Sequence, residues 1–358
     1  MNTVVVVGAG ASVAEATAHH TKWDRDRPPL DLDFFLRAKA AAREPSLVRR
    51  IGEHAADVGH TDPFSAKTPT SLEHYLGLLY FRLLQKPTVA DKSAYFDLLR
   101  LYNRELLSTT NWLVGRKRGP IEKLLRLELS QPDVNLTVVT FNHDLLIESA
   151  LSALPVRQFG QRFCLRHSYG RFESVTDSLQ NRGADMWEFC SGGHAPVVSI
   201  CKLHGSLNWV FATRDLTPSV NLAQAKRKKV YVLRHMRPRP DMRVDLPGSR
   251  RSYYLWPLVV PPIYEKQSFI RSHLQGAWDN ATAALEAADK VVFFGYSFPA
   301  ADHHARFFFE AIANRNQNLK RPHVINPDFG VVQTAWEVIG ANRVHAYRDI
   351  EEYLTPRT

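Results

Sequence analysis

Thr3-Val4-Val5-Val6-Val7-Gly8-Ala9-Gly10-Ala11-Ser12 runs from a β-branched block straight into a loop of small residues. An uninterrupted apolar run of that length suits a strand buried on both faces, the situation of a parallel sheet. A helix opening at such a loop turns backbone N–H groups and a favourable dipole toward an anion such as a pyrophosphate. Gly8, Ala9, Gly10 and Ser12 are therefore candidate phosphate-binding positions. The sixth position is Val13 rather than glycine, so the full dinucleotide fingerprint is not met. Taken alone, the loop reads equally well as a tight turn.

Four further runs repeat the pattern outward from this one. Leu136–Thr140 ends in Phe141-Asn142-His143-Asp144, and Val197–Leu203 ends in His204-Gly205-Ser206. Lys290–Phe294 ends in Gly295-Tyr296-Ser297, and His323–Ile325 ends in Asn326-Pro327-Asp328. Helical segments separate the strands: Asp144 is placed to cap a helix from Leu145 onward, and Asp302–Asn314 reads as another. Strand–helix–strand order predicts an α/β fold, a Rossmann-like doubly wound parallel sheet. Ligands of such sheets bind beyond the carboxyl ends of the strands. Here all five ends deliver small or chemically capable residues. Each also has a plain structural reading: Asn142 in a turn beside a capping Asp144, His204 as a core histidine. Their convergence at one edge is what favours a site.

Two segments interrupt this rhythm within an expected single domain of residues 1–358. Residues 20–130 read as a large helical insertion, with Leu72, Tyr75, Leu76, Leu79, Tyr80 and Leu83 forming one apolar stripe. Tyr95, Leu98, Leu99, Tyr102 and Leu106 form a second, for core packing or for a ligand wall. Residues 207–262 read as a basic, proline-rich insertion, mostly loop with short strands such as Val230–Arg234. The chain's formal net charge is +10, and residues 226–251 hold ten Lys or Arg against two Asp, so the basicity is local. That run fits nucleic acid, an acidic protein or a solvated loop equally. Nearby Tyr231, Tyr253, Tyr254 and Trp256 could stack on bases or pack the loop down.

A hydrophobic content of 44% with 23% charged residues is that of an ordinary globular protein. No apolar stretch reaches the roughly 18 residues of a membrane span. The amino terminus lacks a basic n-region, so the expected location is cytoplasmic. Cys164, Cys190 and Cys201 are the only cysteines. Three cannot make a four-cysteine zinc site within the chain, and no zinc is expected.

In order and context, GAGAS (Gly8–Ser12), Thr140-x-Asn142-x-Asp144, Lys202-Leu203-His204-Gly205-Ser206, Gly295-Tyr296-Ser297-Phe298 and Val324–Asp328 resemble the sirtuin superfamily. With Leu258-Val259-Val260-Pro261-Pro262 they look most like the bacterial sirtuin-like domains of anti-phage defence systems. The resemblance spans Gly8 to Asp328 and implies NAD as substrate. By that resemblance Gly8, Ala9, Gly10 and Ser12 line the pyrophosphate, and Asn142 and Asp144 lie near the ribose and nicotinamide. His204 matches the catalytic base, while Gly295, Ser297 and Asn326 match positions around the adenosine half. Two departures change the expected activity. The zinc ribbon of the deacylases is missing after Gly205, and Phe141 stands where they carry glutamine.

Cleaving the nicotinamide–ribose bond builds positive charge on the sugar carbon and needs one water placed against it. The side-chain amide of Asn142 can donate and accept, and His204 can take a proton near neutral pH. The expected activity is NAD hydrolysis to nicotinamide and ADP-ribose, depleting NAD in abortive, anti-phage infection. The alternatives are an NAD-dependent protein deacylase and a non-catalytic NAD or ADP-ribose sensor. The resemblance further implies a homo-oligomer assembled through the 20–130 helices, and a separate regulatory partner such as a hexameric DNA-translocase ATPase.

Overall fold

The computed structural model describes residues 1–19, 27–65, 69–116, 118–154, 173–174, 198–213, 230–233, 243–245, 252–260, 274–299, 302–316, 318–319, 322–339 and 344–355. The opening valines form β1 (Asn2–Val7), and Val4 to Val7 are each no more than 1% exposed. Such burial is available only at the middle of a sheet covered on both faces. β1 pairs in parallel with β2 (Asn135–Thr140) on one side and with β9 (Lys290–Phe294) on the other. β4 (Val198–Lys202) extends the sheet beyond β2, and β10 (His323–Ile325) and β11 (His345–Tyr347) extend it beyond β9. The order is therefore β11-β10-β9-β1-β2-β4, all parallel.

This arrangement is the Rossmann-like doubly wound sheet read from the sequence. Its helices include α1 (Ala9–Ala18), α6 (Pro120–Leu129), α7 (Leu146–Ala153), α8 (Gln275–Glu286), α9 (His303–Arg315), α10 (Phe329–Ile339) and α11 (Ile350–Leu354). Apolar residues of all seven join the core around the sheet, Ala11, Ile121, Ile147, Leu285, Phe309, Val332 and Ile350 among them. Two helix starts differ in detail from the sequence reading. Leu145 rather than Asp144 occupies the cap position of α7, although an Asp144 carboxylate oxygen still accepts the Leu146 N–H at 3.1 Å. Asp302 is the cap of α9 and not its first residue.

The helical insertion contains α2 (Phe34–Ala41), α3 (Pro45–Asp57), α4 (Leu72–Leu84) and α5 (Val89–Leu113). Ser71 caps α4 by accepting the His74 N–H, and Thr88 and Asp91 close a capping box at the start of α5. Leu72, Tyr75, Leu76 and Leu79 from the first stripe and Tyr95, Leu98 and Leu99 from the second bury together in a separate core. That is the packing role expected of such stripes.

Within residues 207–262, the described residues contribute to a second sheet of order β3-β6-β5-β8-β7, and the expected short strand at Val230 is one of its strands. Its strands are β3 (Glu173–Ser174), β5 (Gly205–Thr213), β6 (Val230–Val232), β7 (Arg243–Asp245) and β8 (Ser252–Val259). β5 and β8 pair antiparallel with an irregularity between Ser206 and Val210. The polar residues that disguised β5 are both fully buried: Ser206 Oγ donates to Asn208 Oδ1 at 2.7 Å, and Asn208 Nδ2 donates to the Leu233 carbonyl. Most of the basic run, including Lys226–Lys229 and Arg250–Arg251, lies outside the described residues. Among the described residues no helix is long and apolar enough to cross a membrane.

Candidate functional site

The chain leaves β1 toward β2 and returns much later to place β9 on the opposite side, so the strand order reverses between β1 and β9. A crevice opens at such a switch point. Two loops meet there closely. Gly8 N–H donates to the Phe294 carbonyl at 3.0 Å, and Gly10 N–H donates to the Gly295 carbonyl at 2.9 Å. A Cβ at Gly8 would sit 2.5 Å from Tyr296 Cα, and Gly295 holds φ +60 with no room beside Ala11 N. Side chains at either position would drive the loops apart.

Above this contact lies a cavity of about 540 Å³. Gly8, Ala9 and Ser12 line it from the first strand end, Asn142 and Asp144 from the second, His204 from the third and Ser297 from the fourth. The helical insertion closes the other side with the 28–32 segment, Leu72, Glu73, Tyr102 and Leu106. Three predicted positions are outside this lining. Gly10 and Gly295 are spent on each other's backbone. Asn326 stabilises its own turn, its Oδ1 accepting the Asp328 N–H at 3.0 Å and its N–H donating to the Tyr347 carbonyl.

The Asn142 side chain is fixed by its neighbours. Its Nδ2 donates to the Gly8 carbonyl and to Ser12 Oγ, both at 2.9 Å. Ser12 Oγ in turn donates to Asp144 Oδ2 at 2.6 Å. Both amide hydrogens are thereby used, and Oδ1 is the atom left to accept a proton donor. Asn142 N–H donates to Thr140 Oγ1, which donates to the Val7 carbonyl, so the loop is bound to β1 through its backbone as well. The donor-and-acceptor role expected of this amide therefore narrows to acceptor.

Beneath the same loop lies an ion pair that the sequence reading did not foresee. Lys202 Nζ stands 3.1 Å from Glu148 Oε1 and donates to the Asp144 carbonyl, and both side chains are fully buried. Lys202 precedes His204 by two residues, so one short segment supports the Asn142–Asp144 loop and presents the imidazole.

His204 is 7% exposed and its backbone carbonyl accepts the Val260 N–H at 2.8 Å. Its ring meets the edge of Phe141 with centroids 5.0 Å apart and lies nearly parallel to His143 at 6.3 Å. Its Nε2 stands 3.5 Å from Asp302 Oδ2. Phe141 stacks on Tyr296 at 4.9 Å and makes this wall apolar. Asp302, His143, Asp31 and Glu73 also line the cavity, although nothing in the sequence marks them for it, and Tyr102 and Leu106 of the second stripe join them as a ligand wall. Burial, and then the neighbouring Asp31, Asp144 and Glu73 carboxylates, hold the Tyr102 phenol well above its ordinary value, so it presents a neutral hydroxyl.

Burial pushes the Cys201 thiol up to about 12, which makes it an inert core residue. Cys164 and Cys190 lie outside the described residues. Among the described residues no cluster of three or more His, Cys, Asp or Glu is arranged to hold a metal.

No protein-family model and no curated protein matches the chain. Several solved structures are similar to it. One is a mutant Sir2 homologue in complex with 2′-O-acetyl-ADP-ribose, at 15% identity over 98% of this chain and 88% of that one, TM-score 0.46. Another is a Sir2 mutant with a p53 peptide and NAD, at 14% identity over 98% and 89% of the two chains, TM-score 0.37. A third is a mutant Sir2 homologue with ADP-ribose, at 15% identity over 98% and 88%, TM-score 0.37.

Proposed function

We propose that the cavity binds NAD and that the chain cleaves its nicotinamide–ribose bond, with water as the acceptor. One observation carries this reading: Asn142 and His204 face the same cavity as Gly8, Ala9 and Ser12. The residues fit such a guest. The start of α1 offers backbone donors and a positive dipole end to a pyrophosphate. The largely apolar walls made by Phe141, Tyr296, Leu72 and Leu106 suit a planar ring. NAD brings a glycosidic C–N bond whose cleavage leaves positive charge on the sugar carbon.

Asn142 then holds a water through Oδ1, in an orientation set by Gly8 and Ser12. His204 takes the proton that the water gives up. Asp144 keeps Ser12 and Asn142 in register and adds negative charge near the developing cation. In the cell we propose NAD depletion as the outcome, in anti-phage defence and under the control of a separate protein.

A second reading keeps the first step and changes the acceptor to an acyl-lysine. Similar Sir2 structures hold 2′-O-acetyl-ADP-ribose, or a peptide beside NAD, so this acceptor has its own arm in the test. Purified chain is incubated with NAD, with and without an acyl-peptide and the neighbouring gene product, and products are separated by liquid chromatography. Nicotinamide and ADP-ribose are expected without peptide, whereas O-acyl-ADP-ribose would move the assignment to the deacylase. Asn142→Ala and His204→Ala should each lose about 10²-fold or more in nicotinamide release. Undiminished release by both would sink the site.

A further inference from the structure

We infer that Asp302 is a positioning residue for His204, the two forming a carboxylate–imidazole pair that serves the proposed cleavage; this rests on reading the cavity as an NAD-cleaving site. The sequence offered no sign of it, because Asp302 lies 98 residues beyond His204 on another strand's loop.

Asp302 is 6% exposed and caps α9, its Oδ1 accepting the Ala305 N–H at 3.4 Å. Its N–H donates to the Pro299 carbonyl at 3.0 Å, so the residue is anchored at both ends of its turn. Negative charge at the first turn of a helix is stabilised by the helix dipole, which favours the ionised carboxylate. The second oxygen, Oδ2, stands 3.5 Å from His204 Nε2, an ion-pair contact just short of a hydrogen bond. A charge-assisted contact normally closes to about 2.7–2.9 Å, and catalytic hydrogen bonds commonly tighten when substrate arrives.

Two consequences follow from ordinary imidazole chemistry. Once the contact closes to a hydrogen bond, a hydrogen on Nε2 directed at the carboxylate leaves Nδ1 with the lone pair, so Asp302 selects the tautomer. The ring of Phe141 beside His204 and the buried setting keep the imidazole in that plane. In the step itself, a water lone pair forms the new C–O bond as the C–N pair leaves with nicotinamide. The water's proton passes to His204, and the resulting imidazolium faces Asp302, which keeps its charge and takes no proton. The proton then leaves for solvent.

The test uses Asp302→Asn, because asparagine caps a helix about as well as aspartate and should leave the fold intact. With 15N-labelled histidine, the His204 ring signal, identified by its loss in His204→Gln, should report a protonated Nε2 in the unmodified protein. Asp302→Asn should shift it toward the other tautomer. Nicotinamide release should fall about 10- to 100-fold in kcat with KM changed by less than about threefold. In a His204→Ala background the same substitution should add no further loss. An unmoved ring signal, an unchanged kcat, or a full additional loss without His204 would each overturn the pairing. If the ring signal shifts but the unmodified protein releases no nicotinamide, the NAD reading and Asp302's part in it fall, and the pairing alone survives.

Discussion

The two packed regions that meet at the cavity differ in how deeply their Lys and Arg ion pairs are set. Around the parallel sheet, Lys202 and Glu148 are both completely shut off from solvent, whereas Lys290, which holds the buried Glu128 at 2.9 Å, stays part-exposed. In the helical insertion the pairs Arg50–Asp97, Arg82–Asp91 and Arg43–Glu105 each keep the arginine part-exposed. Water shares the solvation of the helical pairs and contributes nothing to Lys202. At Lys202–Glu148, beneath the proposed site, a lost partner strands a charge in a dry interior, whereas at Arg50–Asp97 water reaches the arginine.

That contrast makes its largest prediction about stability. Lys202→Met should cost about 3–5 kcal/mol, since Glu148 would be left charged in a dry interior and the Asp144 carbonyl would lose its donor. Arg50→Met should cost no more than about 1 kcal/mol. Denaturant titrations of the two variants give the comparison directly. Equal losses would mean that the sheet region admits water to Glu148, and the contrast would collapse.

A smaller effect separates wall from machinery. Leu106 lines the cavity from α5, whereas the hydrogen bonds around Asn142 are made by Thr140, Gly8, Ser12 and Asp144. Leu106→Ala should raise KM for NAD about fivefold, the worth of about 1 kcal/mol of apolar contact, with kcat within about twofold. A fall in kcat instead would show that the insertion shapes the reacting geometry as well as the binding.

The difference between the regions also governed what could be read from the residues. β1, β2, β4, β9 and β10 announce themselves because strands buried on both faces must be apolar throughout. Their loops follow automatically, and Gly8, Asn142 and His204 with them. β5 hid because its buried Ser206 and Asn208 satisfy each other, which erased the apolar run; Trp209, Val210 and Phe211 were the residual signal. Asp302 and Glu148 were illegible for another reason. Each matters through a contact between distant segments, with His204 and Lys202 respectively, and nothing local distinguishes it from a helix-start aspartate or a helical glutamate. The cavity's apolar wall was half legible: the Tyr102–Leu106 stripe allowed for a ligand, but not for which one of its residues would leave the core.

The smallest predicted effect is the response to acid, where the two regions should move in opposite directions. Burial alone would raise the Asp91 carboxyl, but hydrogen bonds from Arg82, Thr88 and His54 outweigh it and hold the group well below the usual carboxylate range. A depressed folded-state value means that its stabilisation is complete above the unfolded value of about 3.9 and drains away as pH falls below it. Glu15, against α6 in the sheet region, is displaced the other way: burial raises it, only partly opposed by the Ile121 N–H and by His19. Its contribution is present when protonated and is lost as pH rises through the folded value, so acid relieves it. Burial also raises Glu105 in the helical region, which offsets part of the Asp91 loss. The net expectation is that amide-exchange protection at the α4–α5 junction falls from about pH 4 downward while β1 and α1 stay protected. Asp91→Asn should abolish that pH dependence at the junction. Simultaneous loss of protection in both regions would mean that they unfold as one unit, and the difference between the dry Lys202–Glu148 pair and the part-exposed arginine pairs would then be local only.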